Sequence, residues 1–211
     1  MYKAILFDLD GTLVHTAPEY RYLLVGNIIK FLNGNNSKEA IDRFWFETGR
    51  DELISEHFKL DPKEFWTLYG IHERPELRRY FSKPYDDTGF IKELRSKNYK
   101  TGIVTGAPGQ VLNLEVEMIG RENFDVVISP YINNGARHKP DPSGIEECLR
   151  IMDIKKDEVI FVGNSDEDII TARNAGVLDV LIDRNEHKFP GLEPTITINS
   201  LYELREIIYN K

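Results

Sequence analysis

The chain has 211 residues, of which 41% are hydrophobic and 29% charged, a balance typical of a folded globular protein rather than a disordered one. Its 35 acidic and 27 basic side chains give a net charge of −8, and no block of Lys or Arg could neutralise nucleic-acid phosphates. No apolar run approaches the roughly 18 residues of a membrane span, and Asp8 ends the first apolar run too early for a signal peptide. We therefore expect a cytoplasmic protein without a nucleic-acid or membrane partner.

Short apolar runs alternate with segments of helical spacing over most of the chain. The predicted strands are residues 2–7, 101–105, 124–129, 158–163 and 177–183, with a short late strand at 195–198. The predicted helices between and after them are residues 90–97, 110–119, 142–152, 166–175 and 201–209. Regular alternation of strand and helix predicts an α/β fold, in which helices cover both faces of a parallel sheet.

One segment, from about residue 14 to residue 85, has helical patterns and no convincing strand. Thr16-Ala17-Pro18-Glu19 has the form of a capping box, with Pro18 at the first helical position. Asp61-Pro62-Lys63-Glu64 begins another helix in the same way, and residues 33–36 form a break between two helices. We predict a small all-helical domain of residues 15–85, inserted into an α/β domain formed by residues 1–14 and 86–211.

The first predicted strand ends in two closely spaced acids, in the segment Asp8-Leu9-Asp10-Gly11-Thr12. Alternation along a strand puts Asp8 and Asp10 on the same side, at the sheet edge where open α/β folds bind ligands. Two neighbouring carboxylates repel each other unless a cation lies between them, and oxygen ligands suit Mg²⁺. The spacing therefore predicts a magnesium site.

Residues 7–14, Phe7-Asp8-Leu9-Asp10-Gly11-Thr12-Leu13-Val14, resemble the first motif of the haloacid dehalogenase-like (HAD) hydrolases. Three further segments resemble that family's later motifs and follow in its order: Ile103-Val104-Thr105, Lys139-Pro140, and Val162-Gly163-Asn164-Ser165 with Asp168. The resemblance implies a Rossmann-like parallel sheet of order 5-4-1-2-3. It also implies a helical cap inserted after the first motif, as in phosphoglycolate phosphatase-like members.

The resemblance also implies a role for each motif residue. Asp8 would attack phosphorus and form an aspartyl-phosphate, while Asp10 would act as general acid and then as general base. Thr105 and the backbone N–H of Gly106 would bind phosphate oxygens, and Lys139 would supply a fixed positive charge. The implied metal ligands are Asp8, Asp10, Asn164 and Asp168. The implied function is Mg²⁺-dependent hydrolysis of a small phosphorylated metabolite by a monomer or homodimer.

Three positions depart from the family pattern. Asn164 stands where an Asp usually follows the Gly, so we expect weaker Mg²⁺ binding unless Asp166 or Glu167 compensates; both are expected to be helix N-terminal charges. Gly106 replaces a frequent Asn, and His15 replaces a frequent Asp and is expected to be a solvent-exposed hinge residue. The alternatives are a 2-haloacid dehalogenase (favoured by Asn164, opposed by Asp10), a phosphosugar mutase, and a non-catalytic protein that binds phosphorylated ligands.

Overall fold

A computed structural model describes residues 1–209 of the chain. Its strands are β1 (Ala4–Phe7), β2 (Val14–Thr16), β3 (Ser82–Pro84), β4 (Lys100–Val104), β5 (Val126–Ile128), β6 (Val159–Gly163), β7 (Leu178–Ile182) and β8 (Ile196–Ile198). Its α-helices are α1 (Pro18–Phe31), α2 (Lys38–Phe46), α3 (Arg50–Leu53), α4 (Pro62–His72), α5 (Pro75–Phe81), α6 (Phe90–Ser96), α7 (Gly109–Ile119), α8 (Ser143–Met152), α9 (Asp166–Ala175) and α10 (Leu204–Tyr209). No helix within residues 1–209 is both long enough and apolar enough to cross a membrane.

The chain divides into two compact units. One is an α/β unit made of Met1–His15 and the chain from Lys83 onward, and the other is a helical unit, Thr16–Ser82. The domain boundaries predicted from the sequence lie after residues 14 and 85, whereas the two units meet after His15 and after Ser82. β2 and β3, which the sequence did not predict, are three residues long each and pair as a separate two-stranded sheet.

The α/β unit contains a six-stranded sheet of order β5-β4-β1-β6-β7-β8. Every adjacent pair is parallel, and β1 lies between β4 and β6, with Ala4 in register with Lys100 on one side and Val159 on the other. The predicted α/β class and the order 5-4-1-2-3 are confirmed, and β8 adds a sixth strand beside the predicted fifth.

Apolar residues on both faces of β1 explain why helices cover the sheet on both sides. Ile5 and Phe7 pack in one core cluster with side chains of α6, α7 and α10. Ala4 and Leu6, which point the other way, pack in a second cluster with side chains of α8 and α9. All four are fully buried, and each large apolar side chain contributes about 1.5–3 kcal/mol by leaving water.

The helical unit has its own core, centred on Phe44, Phe58 and Phe65, whose ring centroids lie 5.2–5.8 Å apart. The Asp61 cap is confirmed, since its carboxylate accepts a hydrogen bond from the Glu64 N–H at 2.9 Å. The Thr16 capping box is wrong. Thr16 is the last residue of β2, its Oγ1 lies 3.1 Å from Ser82 Oγ, and α1 begins after Ala17 without a side-chain cap.

Candidate active site

The predicted site residues follow three adjacent strands. Asp8 follows β1, Thr105 follows β4 and Asn164 follows β6, and β1 is the middle strand of the three. The ladder continues past the strand ends, because the N–H of Asp8 donates to the Val162 carbonyl at 2.9 Å. Parallel strands present their carboxyl ends at one edge, so the topology brings these three residues to the same edge of the sheet.

Lys139 joins two of the predicted residues by direct ion pairs. Its Nζ lies 2.7 Å from Asp8 Oδ1 and 2.5 Å from Asp168 Oδ1, and all three side chains are at least nine-tenths buried. Burial alone would lower the pKa of Lys139, but the charges of Asp168 and Asp8 raise it above its ordinary value. Lys139 is therefore a permanent positive charge beside Asp8. Burial in turn raises the pKa of Asp8 to about 7, against the lowering influence of Lys139.

Asp168 lies in the first turn of α9, and hydrogen bonds at the N-terminus of that helix fix its side chain. Ser165 caps this helix and forms a reciprocal capping box with Asp168. Asp168 Oδ2 accepts from the Ser165 hydroxyl at 2.7 Å and from the N–H groups of Ser165 and Asn164 at 3.1 Å each. Gly163 makes this possible, because a Cβ there would lie 2.2 Å from the Asp168 Cβ. Both carboxylate oxygens of Asp168 thus have protein donors, and one of those donors is Lys139.

The turn after β1 contains a contact that the motif comparison did not assign. Thr12 Oγ1 lies 3.0 Å from Asp8 Oδ2 and 3.0 Å from Asn164 Oδ1, so its single proton serves one acceptor at a time. Gly11 has φ +80°, and a Cβ there would lie 2.3 Å from Asn164 Nδ2. Only glycine fits both the backbone conformation and the space at position 11.

The remaining predicted residues, Asp10, Thr105 and Gly106, lie on the same edge, with Thr105 buried and the other two partly exposed. Asp10 is partly exposed and forms an isolated bridge with Val14. The Thr105 hydroxyl accepts from the Ala107 N–H at 3.1 Å. A Cβ on Gly106 would meet no atom within 4 Å, so the space around its backbone is open to a ligand.

His15 is not the solvent-exposed residue that the sequence suggested. Its Nδ1 lies 2.5 Å from Glu186 Oε1, which also accepts from the Tyr85 hydroxyl at 2.8 Å, and about three-quarters of the His15 and Glu186 side chains is buried. Burial and the Glu186 carboxylate raise the pKa of Tyr85, and the charge of Asp10 adds to the effect. The expectation for His15 was wrong because its partner lies 171 positions away, which no local pattern reveals.

A family model described as haloacid dehalogenase-like hydrolase matches residues 2–176. The chain belongs to this family. Pyrophosphatase PpaX of Bacillus mycoides (strain KBAB4) is 29% identical over 187 residues, covering 85% of this chain and 83% of that protein. A solved HAD phosphatase from Thermococcus onnurineus has a TM-score of 0.70 at 28% identity, with 97% of each chain covered. The structure of a predicted phosphoglycolate phosphatase from Haemophilus somnus 129PT has a TM-score of 0.76 at 20% identity, covers 98% of this chain and 97% of that one, and shows the shared fold.

The donor set of this HAD-like hydrolase fits a hard cation. Asp8 and Asp10 offer carboxylate oxygens and Asn164 an amide oxygen, and oxygen atoms are what Mg²⁺ prefers. Within residues 1–209, no three Asp, Glu, His or Cys side chains are grouped as a metal site. HAD-like hydrolases generally use Mg²⁺.

Proposed function

We propose that this HAD-like hydrolase is a Mg²⁺-dependent phosphatase that acts on a small phosphorylated metabolite through an aspartyl-phosphate on Asp8. The observation that carries the proposal is the buried Asp8 carboxylate at the end of the central strand, with Lys139 Nζ 2.7 Å from one oxygen and Thr12 Oγ1 3.0 Å from the other. Two donors orient the nucleophile, and the lysine is a fixed positive charge for an anionic substrate. Thr105 and the Gly106 N–H are the proposed phosphate donors.

In the first step, an Asp8 oxygen forms a bond to phosphorus while the bond from phosphorus to the leaving oxygen breaks. Asp10 donates its proton to that leaving oxygen. In the second step, Asp10 takes a proton from water as the water oxygen attacks phosphorus, which releases phosphate and regenerates the Asp8 carboxylate. Lys139 keeps its proton while Asp8 is covalently bonded to phosphorus, because the Asp168 carboxylate still stabilises its charged form.

Asp8, Asp10 and Asn164 are the proposed Mg²⁺ ligands, and Asp168 is assigned primarily to Lys139. When bound, Mg²⁺ supplies charge that offsets the repulsion between the nucleophile and the phosphate and stabilises the transition state. Asp10 distinguishes this chain from the dehalogenase alternative, which has no leaving oxygen to protonate. The similarity to pyrophosphatase PpaX makes inorganic pyrophosphate a second candidate substrate.

The test is hydrolysis of p-nitrophenyl phosphate, phosphoglycolate, sugar phosphates and pyrophosphate, with and without Mg²⁺. We expect Mg²⁺-dependent phosphate release by the wild type and background release by Asp8→Asn, which removes the nucleophile with little change in shape. The exposed Asp157→Asn is the matched control and should match the wild type. A folded wild type without activity at any Mg²⁺ concentration would contradict the proposal, as would metal-independent halide release from 2-chloropropionate.

A further inference from the structure

Arg184, two residues after β7, is a buried arginine that no sequence motif identified. Its side chain is 7% exposed. Nη1 donates to Asp87 Oδ2 at 2.8 Å and Nη2 donates to Asp87 Oδ1 at 3.0 Å, so the pair is bidentate. Asp87 is itself fixed, since Oδ2 accepts from the Leu201 N–H at 2.8 Å and the Ser200 hydroxyl at 3.1 Å. The guanidinium therefore has a single, well-defined orientation.

That orientation aims Nη2 at the turn after β1. Nη2 also donates to the Thr12 carbonyl at 2.6 Å, and the Thr12 side chain contacts Asp8 from the other end of the same residue. The Arg184 Cζ lies over the Tyr85 ring, 3.9 Å from its centroid, and the backbone N–H of Tyr85 donates to the Leu13 carbonyl at 3.0 Å. Arg184 thus contacts the turn directly through Thr12 and indirectly through Tyr85.

We infer that Arg184 is a positioning residue for the nucleophile: held by Asp87, it fixes Thr12 and through Thr12 the orientation of the Asp8 carboxylate. This inference rests on the proposed function. An in-line attack needs the reacting oxygen within a few tenths of an ångström of its productive place, and a misplacement of about 1 Å costs about a hundredfold in rate. A lysine cannot replace this arginine, because one ammonium cannot donate in the same plane to two carboxylate oxygens and a carbonyl.

The test compares Arg184→Lys with the wild type in p-nitrophenyl phosphate hydrolysis. We expect kcat to fall by about tenfold to about a hundredfold, while KM and inhibition by inorganic phosphate change less than about twofold. A merely structural role would lower the melting temperature and the folded fraction, so kcat is expressed per folded enzyme, and for a structural role that value would equal the wild type's. Arg205→Lys is the matched control, since Arg205 also makes a two-point pair, with Glu93, and should keep the wild-type kcat.

Asp87→Asn is the second variant, in case Arg184→Lys does not fold. It keeps the size of Asp87 but removes the charge that orients Arg184, so the same selective loss of kcat is expected. An active wild type whose kcat is unchanged in the folded variants would overturn the inference and leave the proposed function standing. An inactive wild type would instead overturn the proposed function, and the inference with it.

Discussion

Asn164 is one of three positions at which this chain departs from the motifs that it resembles. Its amide lies against the Thr12 hydroxyl at 3.0 Å and occupies the space that a Cβ on Gly11 would need. It is therefore packed against the turn after β1 that carries Asp8 and Asp10. The amide keeps an oxygen ligand for a cation but gives up one negative charge.

Asn164→Asp should restore that charge and tighten Mg²⁺ binding. We expect the apparent dissociation constant for Mg²⁺ to fall by about tenfold, which corresponds to about 1.4 kcal/mol. Isothermal titration with Mg²⁺ measures the effect directly. Asn98→Asp, an exposed position with φ +63° that Asp tolerates, is the control. Unchanged or weaker binding in Asn164→Asp would argue against Asn164 as a ligand.

At the scale of one element, the helix N-termini show which contacts can be predicted from neighbouring residues in the sequence. The helix start predicted at Asp61-Pro62-Lys63-Glu64 is correct, because its cap involves only neighbours in sequence. Thr16-Ala17-Pro18-Glu19 has the same pattern, but the Thr16 hydroxyl contacts the Ser82 hydroxyl, 66 positions away, and does not cap α1. The main strands can also be predicted from residues close in sequence, because a continuous apolar run is typical of a strand buried on both faces. β2 and β3 are three residues long, too short for any such pattern.

Asp61→Ala should destabilise the helical unit through loss of the α4 cap. The N–H of Glu64 loses its acceptor, and we expect the free energy of unfolding to drop by about 1 kcal/mol. Denaturant unfolding followed by circular dichroism measures this change. Asp61→Asn retains a side-chain acceptor and should stay within a few tenths of a kcal/mol of the wild type. Equal losses in both variants would show that the Asp61 charge, and not the cap, is what matters.

At the scale of the α/β unit, Asp87 joins segments that are far apart in sequence. It accepts from Arg184, Ser200 and the Leu201 N–H, and so ties the segment after β3 to two loops near the C-terminal end. The strand ends that carry Asp8, Thr105 and Asn164 could be predicted, because the motifs mark them. Contacts such as Asp87 with Arg184 or His15 with Glu186 could not, because the partners lie 97 and 171 positions apart in the sequence.

The contacts of the Asp87 carboxylate make the stability of the α/β unit depend on pH. Burial alone would raise its pKa, but the hydrogen bonds from Arg184 and the Leu201 N–H hold the pKa below the ordinary value of 3.8. Its contribution to stability is thus fully present above pH 3.8 and is lost as the pH falls toward the folded-state pKa. We expect the difference in melting temperature between wild type and Asp87→Asn to be constant from pH 7 to about 5 and to shrink below about 4. A difference that grew on acidification would contradict this assignment.

The two ends of the helical unit meet at one point. Thr16 Oγ1 and Ser82 Oγ are 3.1 Å apart, and the Ala17 N–H donates to the Phe81 carbonyl at 2.8 Å. Because the ends of this inserted unit lie so close together, the unit takes the place of a short turn in the chain. The entropic cost of closing that turn is small. Residues can therefore be inserted between Thr16 and Ser82 without changing the short distance that the two ends of the helical unit span.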